Sequence, residues 1–156
     1  MKHSSEAMNK TGLFFEDFAP GKKFYTSSRT VTEADHVNFT TSFGFFEPLF
    51  MDRSFVSANS PYRQPVIPGA MTFSLAEGLT ILSGILHKTG MAFLGVELEV
   101  LKPVHFGDTL RVVIEVIDLR TTKKPGRGIV TFRHDVKNQN ESDVMVYTIK
   151  RMIRKR

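Results

Sequence analysis

At Gly90 the chain changes its hydrophobic period, and this change restricts the fold more than any other feature. Before it, GAMTFSLAEGLTILSGILHKTG (Gly69–Gly90) repeats Met71, Leu75, Leu79, Leu82 and Leu86 at helical spacing, and Phe73, Ala76, Ile81 and Ile85 widen the apolar surface. A helix that is apolar on most sides is expected to be buried on most sides. After it, MAFLGVELEVLKPV, DTLRVVIEVIDLR, RGIVTFRHDV and SDVMVYTIKRMI alternate and are rich in β-branched residues. HFGD, TTKKPG and KNQNE separate them as hairpin-length connectors. An early strand, one long helix and a run of antiparallel strands predict an α+β domain whose sheet wraps around the helix.

The segment before the long helix carries its own punctuation. Pro20-Gly21 marks a turn, and a strand is expected from about Lys23 to Val31. Thr32 can cap a helix with Asp35 three residues on, and Gly44 is a natural stop. Between Glu47 and Pro68 stand Pro48, Pro61, Pro65 and Pro68, so a long excursion is expected there, with at most a short helix near Asp52–Ala58.

A chain of 156 residues with 41% hydrophobic residues suits one domain with a real core. Cysteine is absent, which removes disulfides and thiolate chemistry. Thr72, Ser74, Glu77, Thr80 and Ser83 interrupt the greasiest stretch, so a buried helix is expected rather than a membrane span. MKHSSEAMNK lacks the apolar stretch of a signal peptide, and a cytoplasmic location is expected. The reading is a disordered tail over residues 1–12 and a domain over 13–153. The net charge of +5 gathers in RTTKKPGR (Arg120–Arg127) and KRMIRKR (Lys150–Arg156). These runs suit a solvated surface, a nucleic-acid surface or the rim of a phosphorylated ligand's pocket. No aromatic residues interleave with them as stacking platforms, so nucleic acid is not expected as a partner, and with the greasiest stretch interrupted no membrane is expected either.

TVTEADHVNFT, GFFEPLFMD, GAMTFSLAEGL and LKPVHFGDTL follow one another at the spacing of MaoC-like dehydratases, which are related to the R-specific enoyl-CoA hydratases. The resemblance covers about Phe14 to Ile149. It implies a single hot-dog domain, with an antiparallel sheet wrapped around a long central helix. It also implies a homodimer or higher homo-oligomer, or a hetero-oligomer with a related hot-dog subunit. The implied ligand is an acyl thioester on CoA or an acyl carrier, with no cofactor and no metal. The implied reaction is reversible addition of water to a trans-2-enoyl thioester.

In that family a motif G-D-x-N-P-x-H-x-D supplies an Asp and a His that hold the water. Here Gly44, Pro48 and Asp52 keep the frame, while the Asp position falls on Phe45 and the His position on Phe50. A phenyl ring neither accepts nor donates a proton, so the usual dyad is absent. Glu47, inside the motif, is the candidate replacement acid or base if Phe45, Phe46 and Phe50 bury it and raise its pKa. It could instead cap a helix or pair with Arg53 or Arg63. Asp52 before RSFVSA reads as an N-cap. Glu77 is unexpected in a greasy helix and is either a thioesterase-like carboxylate or a buried, hydrogen-bonded structural group.

Pro68, Gly69 and Ala70 begin the central helix, where family members bind the thioester oxygen with backbone amides. Helix-start N–H groups favour such an oxyanion on physical grounds as well. His105–Asp108 reads as a structural turn and His134 as a surface residue. Three functions stay open: a hydratase-like enzyme with a degenerate motif, a non-catalytic thioester-binding subunit paired with an active relative, or a thioesterase using Glu77.

Overall fold

The helices begin and end where capping chemistry dictates. In the computed structural model, which describes residues 11–156, Thr32 Oγ1 accepts from the Asp35 N–H at 3.1 Å and Asp35 accepts from the Thr32 N–H at 2.9 Å. This reciprocal pair opens helix α1 (Glu33–Phe43), and Gly44 closes it in the left-handed region at φ 74°. A short helix α2 (Pro48–Met51) follows. Asp52 accepts from the Phe55 N–H at 2.9 Å and caps α3 (Arg53–Asn59). The long helix α4 spans Gly69–Leu82 with Pro68 at its N-cap.

Six strands build one sheet: β1 (Lys23–Tyr25), β2 (Arg29–Thr30), β3 (Gly90–Val100), β4 (Thr109–Thr121), β5 (Arg127–Lys137) and β6 (Asp143–Arg154). Their spatial order is β1-β4-β5-β6-β3, antiparallel at each pairing, with β2 also on β4. Every second residue of β4, β5 and β6 faces α4, and those positions form the core: Val112, Ile114, Val130, Phe132, Tyr147 and Ile149 are all fully buried or nearly so. From α4, Met71, Ala76 and Leu79 close the core from above. This is the α+β hot-dog layout expected from the change of period.

Three expectations need correction. The strand expected over Lys23–Val31 is divided, because the Thr26 side chain bonds to the Ser27 carbonyl and accepts from the Val112 N–H, breaking the ladder between β1 and β2. Helix α4 stops at Leu82, since Gly84 takes φ 80°, so Ile85 and Leu86 lie in the turn that follows. Burial on most sides also fails in the last turn of α4, where Ile81 and Leu82 are 65% and 74% exposed. Of the expected tail, residues 1–10 lie outside the described residues. Gly12 does not hang free: its N–H donates to the His87 carbonyl at 2.7 Å.

The short 3-10 turn Phe15–Asp17 lays the Phe15 ring flat on Gly128 of β5, where a Cβ would stand 2.3 Å from a ring carbon. Gly128→Ala should therefore lower the unfolding free energy by about 1–3 kcal/mol through overpacking. Chemical denaturation of the variant beside the wild type checks this, and an unchanged midpoint would contradict it.

Candidate functional site

The capped end of α1 delivers an aromatic chain to the start of α4. Phe39 contacts Phe43 and Phe45 at centroid distances of 4.9 and 5.4 Å, and Phe45 meets Phe50 edge-on at 6.1 Å. Phe45 and Phe50, where the resemblance led one to expect the acid and the base, are thus neighbours in space, and their contact is hydrocarbon. Between α1 and α4 opens a cleft of about 330 Å³ lined by Phe39, Phe43, Met71 and Leu75 with Asp35, Asn38, Ser42 and Ser74 at its polar edge.

One imidazole comes close to this motif. His36 of α1 is buried, and its Nε2 is 2.6 Å from the backbone carbonyl of Phe50, while Nδ1 is buried without a partner. It ties α1 to α2 rather than replacing the motif histidine, since its bond goes to the backbone. The helical spacing of His36 and Thr40, both buried on one face of α1, was the sequence signal for its inward orientation.

Glu47 is placed differently from the expectation. It stands at the N-cap position of α2, makes no side-chain cap bond and is exposed, so Phe45, Phe46 and Phe50 do not enclose it. Phe46 itself is 64% exposed. Nor does Glu47 form an ion pair with Arg53 or Arg63 among the described residues; Arg53 instead lies over the Phe106 ring at 5.8 Å.

At the start of α4, Pro68 accepts the Met71 and Thr72 N–H groups at 2.9 and 3.1 Å. Gly69 and Ala70 occupy the first two helical positions, where N–H groups have no intrahelical acceptor. Ala70 is exposed, and a Cβ on Gly69 would lie 3.3 Å from Val100 of β3. The helix start therefore sits beside the C-terminal end of the edge strand.

Glu77 points the other way, into the sheet. Its carboxylate accepts from the Tyr147 hydroxyl at 2.8 Å and forms a hydrogen-bonded ion pair with Arg151 of β6. Burial, then the Glu77 carboxylate, raises the Tyr147 pKa well above the ordinary tyrosine value. The residue read as a surface histidine is in the same core: His134 is fully buried between Phe132 and Tyr147, with neither ring nitrogen bonded. Burial, then the nearby Arg151 charge, lowers its pKa to about 3. The reason is strand parity, which sets His134 on the face of Phe132 and Val136. His105–Asp108 is a turn as expected, with the His105 N–H on the Asp108 carboxylate and Gly107 at φ 98°.

The two basic runs meet at one end of the sheet. Arg127 pairs with Arg154, and Lys155 donates its N–H to Gly126 at 2.9 Å. Arg154 likewise donates to Thr89, beside the start of β3. This is the end of β3 remote from the α4 N-terminus.

Residues 16–138 match the MaoC like domain. The chain belongs to the MaoC-like dehydratase family. It is similar to Protein MaoC of Klebsiella aerogenes, at 36% identity over 100 residues, which is 64% of this chain and 29% of that protein. The chain thus corresponds to less than a third of that curated relative's length. Among solved structures, the MaoC-like dehydratase from Rhodospirillum rubrum superposes with a TM-score of 0.84 at 29% identity, covering 93% of this chain and 99% of that one. The HadBC (3R-hydroxyacyl-ACP dehydratase) complex from Mycobacterium tuberculosis shares the fold, with a TM-score of 0.70 at 19% identity over 85% of this chain and 96% of that one. This MaoC-like domain carries the Pro68-capped start of α4, the cleft between α1 and α4 and the Phe45–Phe50 contact. No helix of the described residues is long and apolar enough to cross a membrane.

Proposed function

We propose that this MaoC-like chain binds an acyl thioester and does not hydrate it by the Asp/His route of its relatives. The observation that carries this reading is the Phe45–Phe50 contact: two rings with centroids 6.1 Å apart, neither able to accept or donate a proton, stand together at the positions that this reading gives to the motif's acid and base. The neighbouring cleft, walled by Phe39, Phe43, Met71 and Leu75, offers an apolar berth for an acyl chain. The Gly69 and Ala70 amides offer donors for the thioester oxygen at the positive end of α4. Glu77 is a structural carboxylate in this reading, because Tyr147 and Arg151 occupy its oxygens.

The assembly proposed is a dimer through β3. Ten of its eleven residues are exposed, and its backbone edge opposite β6 is unpaired in the sheet order. Met91, Phe93, Leu94, Val96, Leu98 and Val100 along it are 38–53% exposed. A long apolar edge without proline or lysine invites a second strand. A related chain could supply that strand, and with it an Asp and a His, in place of a second copy.

The test is direct. The protein is incubated with crotonyl-CoA and loss of the conjugated thioester is followed, while butyryl-CoA is used to follow both binding and thiol release. Binding without hydration or thiol release is expected, and Ala70→Trp should abolish the binding. Hydration that disappears in Glu47→Gln would replace this reading by a hydratase built on Glu47. Absence of acyl-CoA binding would sink it altogether.

A further inference from the structure

The face of the sheet opposite α4 takes no part in the site described above. Register and strand parity gather Arg120, Arg127, Lys150 and Arg154 on it. Arg127 of β5 lies directly opposite Arg154 of β6, Ile129 lies between Arg120 of β4 and Met152 of β6, and Thr131 lies opposite Lys150. The alternate residues Val130, Phe132 and His134 are the ones buried in the core. The β4–β5 turn adds Lys123 and Lys124, both exposed. Thr122 Oγ1 lies 2.7 and 3.2 Å from the Lys124 and Arg127 carbonyls, and Gly126 takes φ 75°, so the turn holds a defined shape beside the arginines.

The charge on this end of the face is not balanced. Like charges set directly opposite across a ladder are destabilising, yet no carboxylate pairs with Arg127 or Arg154 among the described residues. Arg127 Nη1 instead lies 3.8 Å from the Met152 sulfur. Arg120, Lys123, Lys124 and Lys150 form no ion pair among the described residues either. Asp118, opposite Thr131, stays unpaired beside them, and Asp17 is taken by Arg156. The two basic runs that meet here carry more positive charge than the chain's net +5, so the rest of the chain is net acidic. The cations are thus concentrated rather than spread as a solubilising coat.

The residues among them decide between polyanions. Ile129, Met152 and Thr131 lie between the cations, where a nucleic-acid surface would place aromatic platforms or base-reading amides. A lipid surface requires neither, because its phosphates move laterally to each cation, and the arginine fork suits them. Pairing through the β3 edge leaves this face open, and the cleft between α1 and α4 lies on the other side of the sheet.

We infer that the Arg120–Arg127–Arg154 cluster and the Lys123–Lys124 turn form a docking surface for an anionic phospholipid bilayer. The contact is electrostatic and stays at the level of the headgroups. No helix of the described residues can span a membrane, and this contact requires none.

The test is flotation of the full chain with vesicles of phosphatidylcholine alone, or of three parts phosphatidylcholine to one part phosphatidylglycerol. Binding to the mixed vesicles only is expected, with loss as added salt shortens the Debye length. Each exposed cation should contribute about fivefold to the partition coefficient, so Lys123→Gln/Lys124→Gln should lower it about 25-fold. Arg63→Gln/Lys102→Gln removes the same charge at exposed positions outside the cluster and should lower it by less than about threefold. Equal losses in the two double variants overturn the inference, as does binding to phosphatidylcholine alone or to neither vesicle. A DNA duplex that binds more tightly than the mixed vesicles at equal phosphate concentration would assign the surface to nucleic acid and overturn the lipid assignment.

Discussion

Glu77→Leu is expected to lower the unfolding free energy by about 3–5 kcal/mol, while Glu77→Leu combined with Arg151→Met should lose much less. The single change leaves the Arg151 guanidinium in the interior with no counter-charge, in a place where its Nε already lacks a partner. It also strands the Tyr147 hydroxyl, which has Glu77 as its hydrogen-bond acceptor. Removing both charges together replaces an ion pair by hydrocarbon under a helix that is largely apolar. Urea denaturation of the wild type, both single variants and the double variant completes the cycle. A loss in the double variant equal to the sum of the two single losses would show that the pair is not coupled. A further variant, Glu77→Gln, bears on the thioesterase alternative: a catalytic Glu77 would lose thiol release at full stability, whereas a structural one loses stability.

His134→Leu should remove a pH dependence from the fold. The imidazole titrates near 6.5 in the unfolded chain and at about 3 in the folded one, because burial and Arg151 disfavour its charged form. A depressed folded pKa means that the unfolded chain binds the extra proton first. Stability is therefore complete above about pH 6.5 and falls towards pH 3, at about 1.4 kcal/mol per pH unit. Between pH 7 and pH 4 the wild type should lose about 3 kcal/mol more than His134→Leu. The groups facing this ring are Phe132, Tyr147 and the Glu77–Arg151 pair behind it. Carboxylates elsewhere titrate alike in both proteins and cancel in the difference. At pH 7 the variant should be no less stable than the wild type, since two unbonded ring nitrogens leave the interior. Parallel pH series for the two proteins would refute this account of the core.

Local rules made much of the architecture legible. The Thr32–Asp35 box, the Gly44 stop and the Asp52 cap each depend on residues within four positions of one another, and such chemistry survives in a bare sequence. TTKKPG and KNQNE announced the β4–β5 and β5–β6 hairpins in the same way, whereas HFGD, of hairpin length too, joins strands that do not pair, because β3 lies against β6. His134 was misread: its charged neighbours Arg133 and Asp135 argued for the surface, but its parity with Phe132 and Val136 puts it inside, and parity prevailed. The environment of Glu77 was not legible, because Tyr147 and Arg151 lie seventy or more positions away. Glu47 shows the converse difficulty. Apolar neighbours in sequence suggested enclosure, yet the turn into α2 directs Phe50 inward and leaves Glu47 outside.

The sheet order carries a consequence for how the chain folds. Strand β3 is made before β4 and β5, but within the chain its pairing partner is β6, with Gly90 set against Ile153. Until β6 arrives, β3 has no ladder, and α4 has neither Tyr147 nor Arg151 to receive Glu77. One strand thus completes the sheet, seats the helix and neutralises its carboxylate in a single event. A β4–β5 hairpin can form early from local pairing, whereas the closing step spans most of the domain and carries the cost of a long loop. In a crowded ribosomal queue, the waiting β3 is the segment most open to capture by another nascent chain.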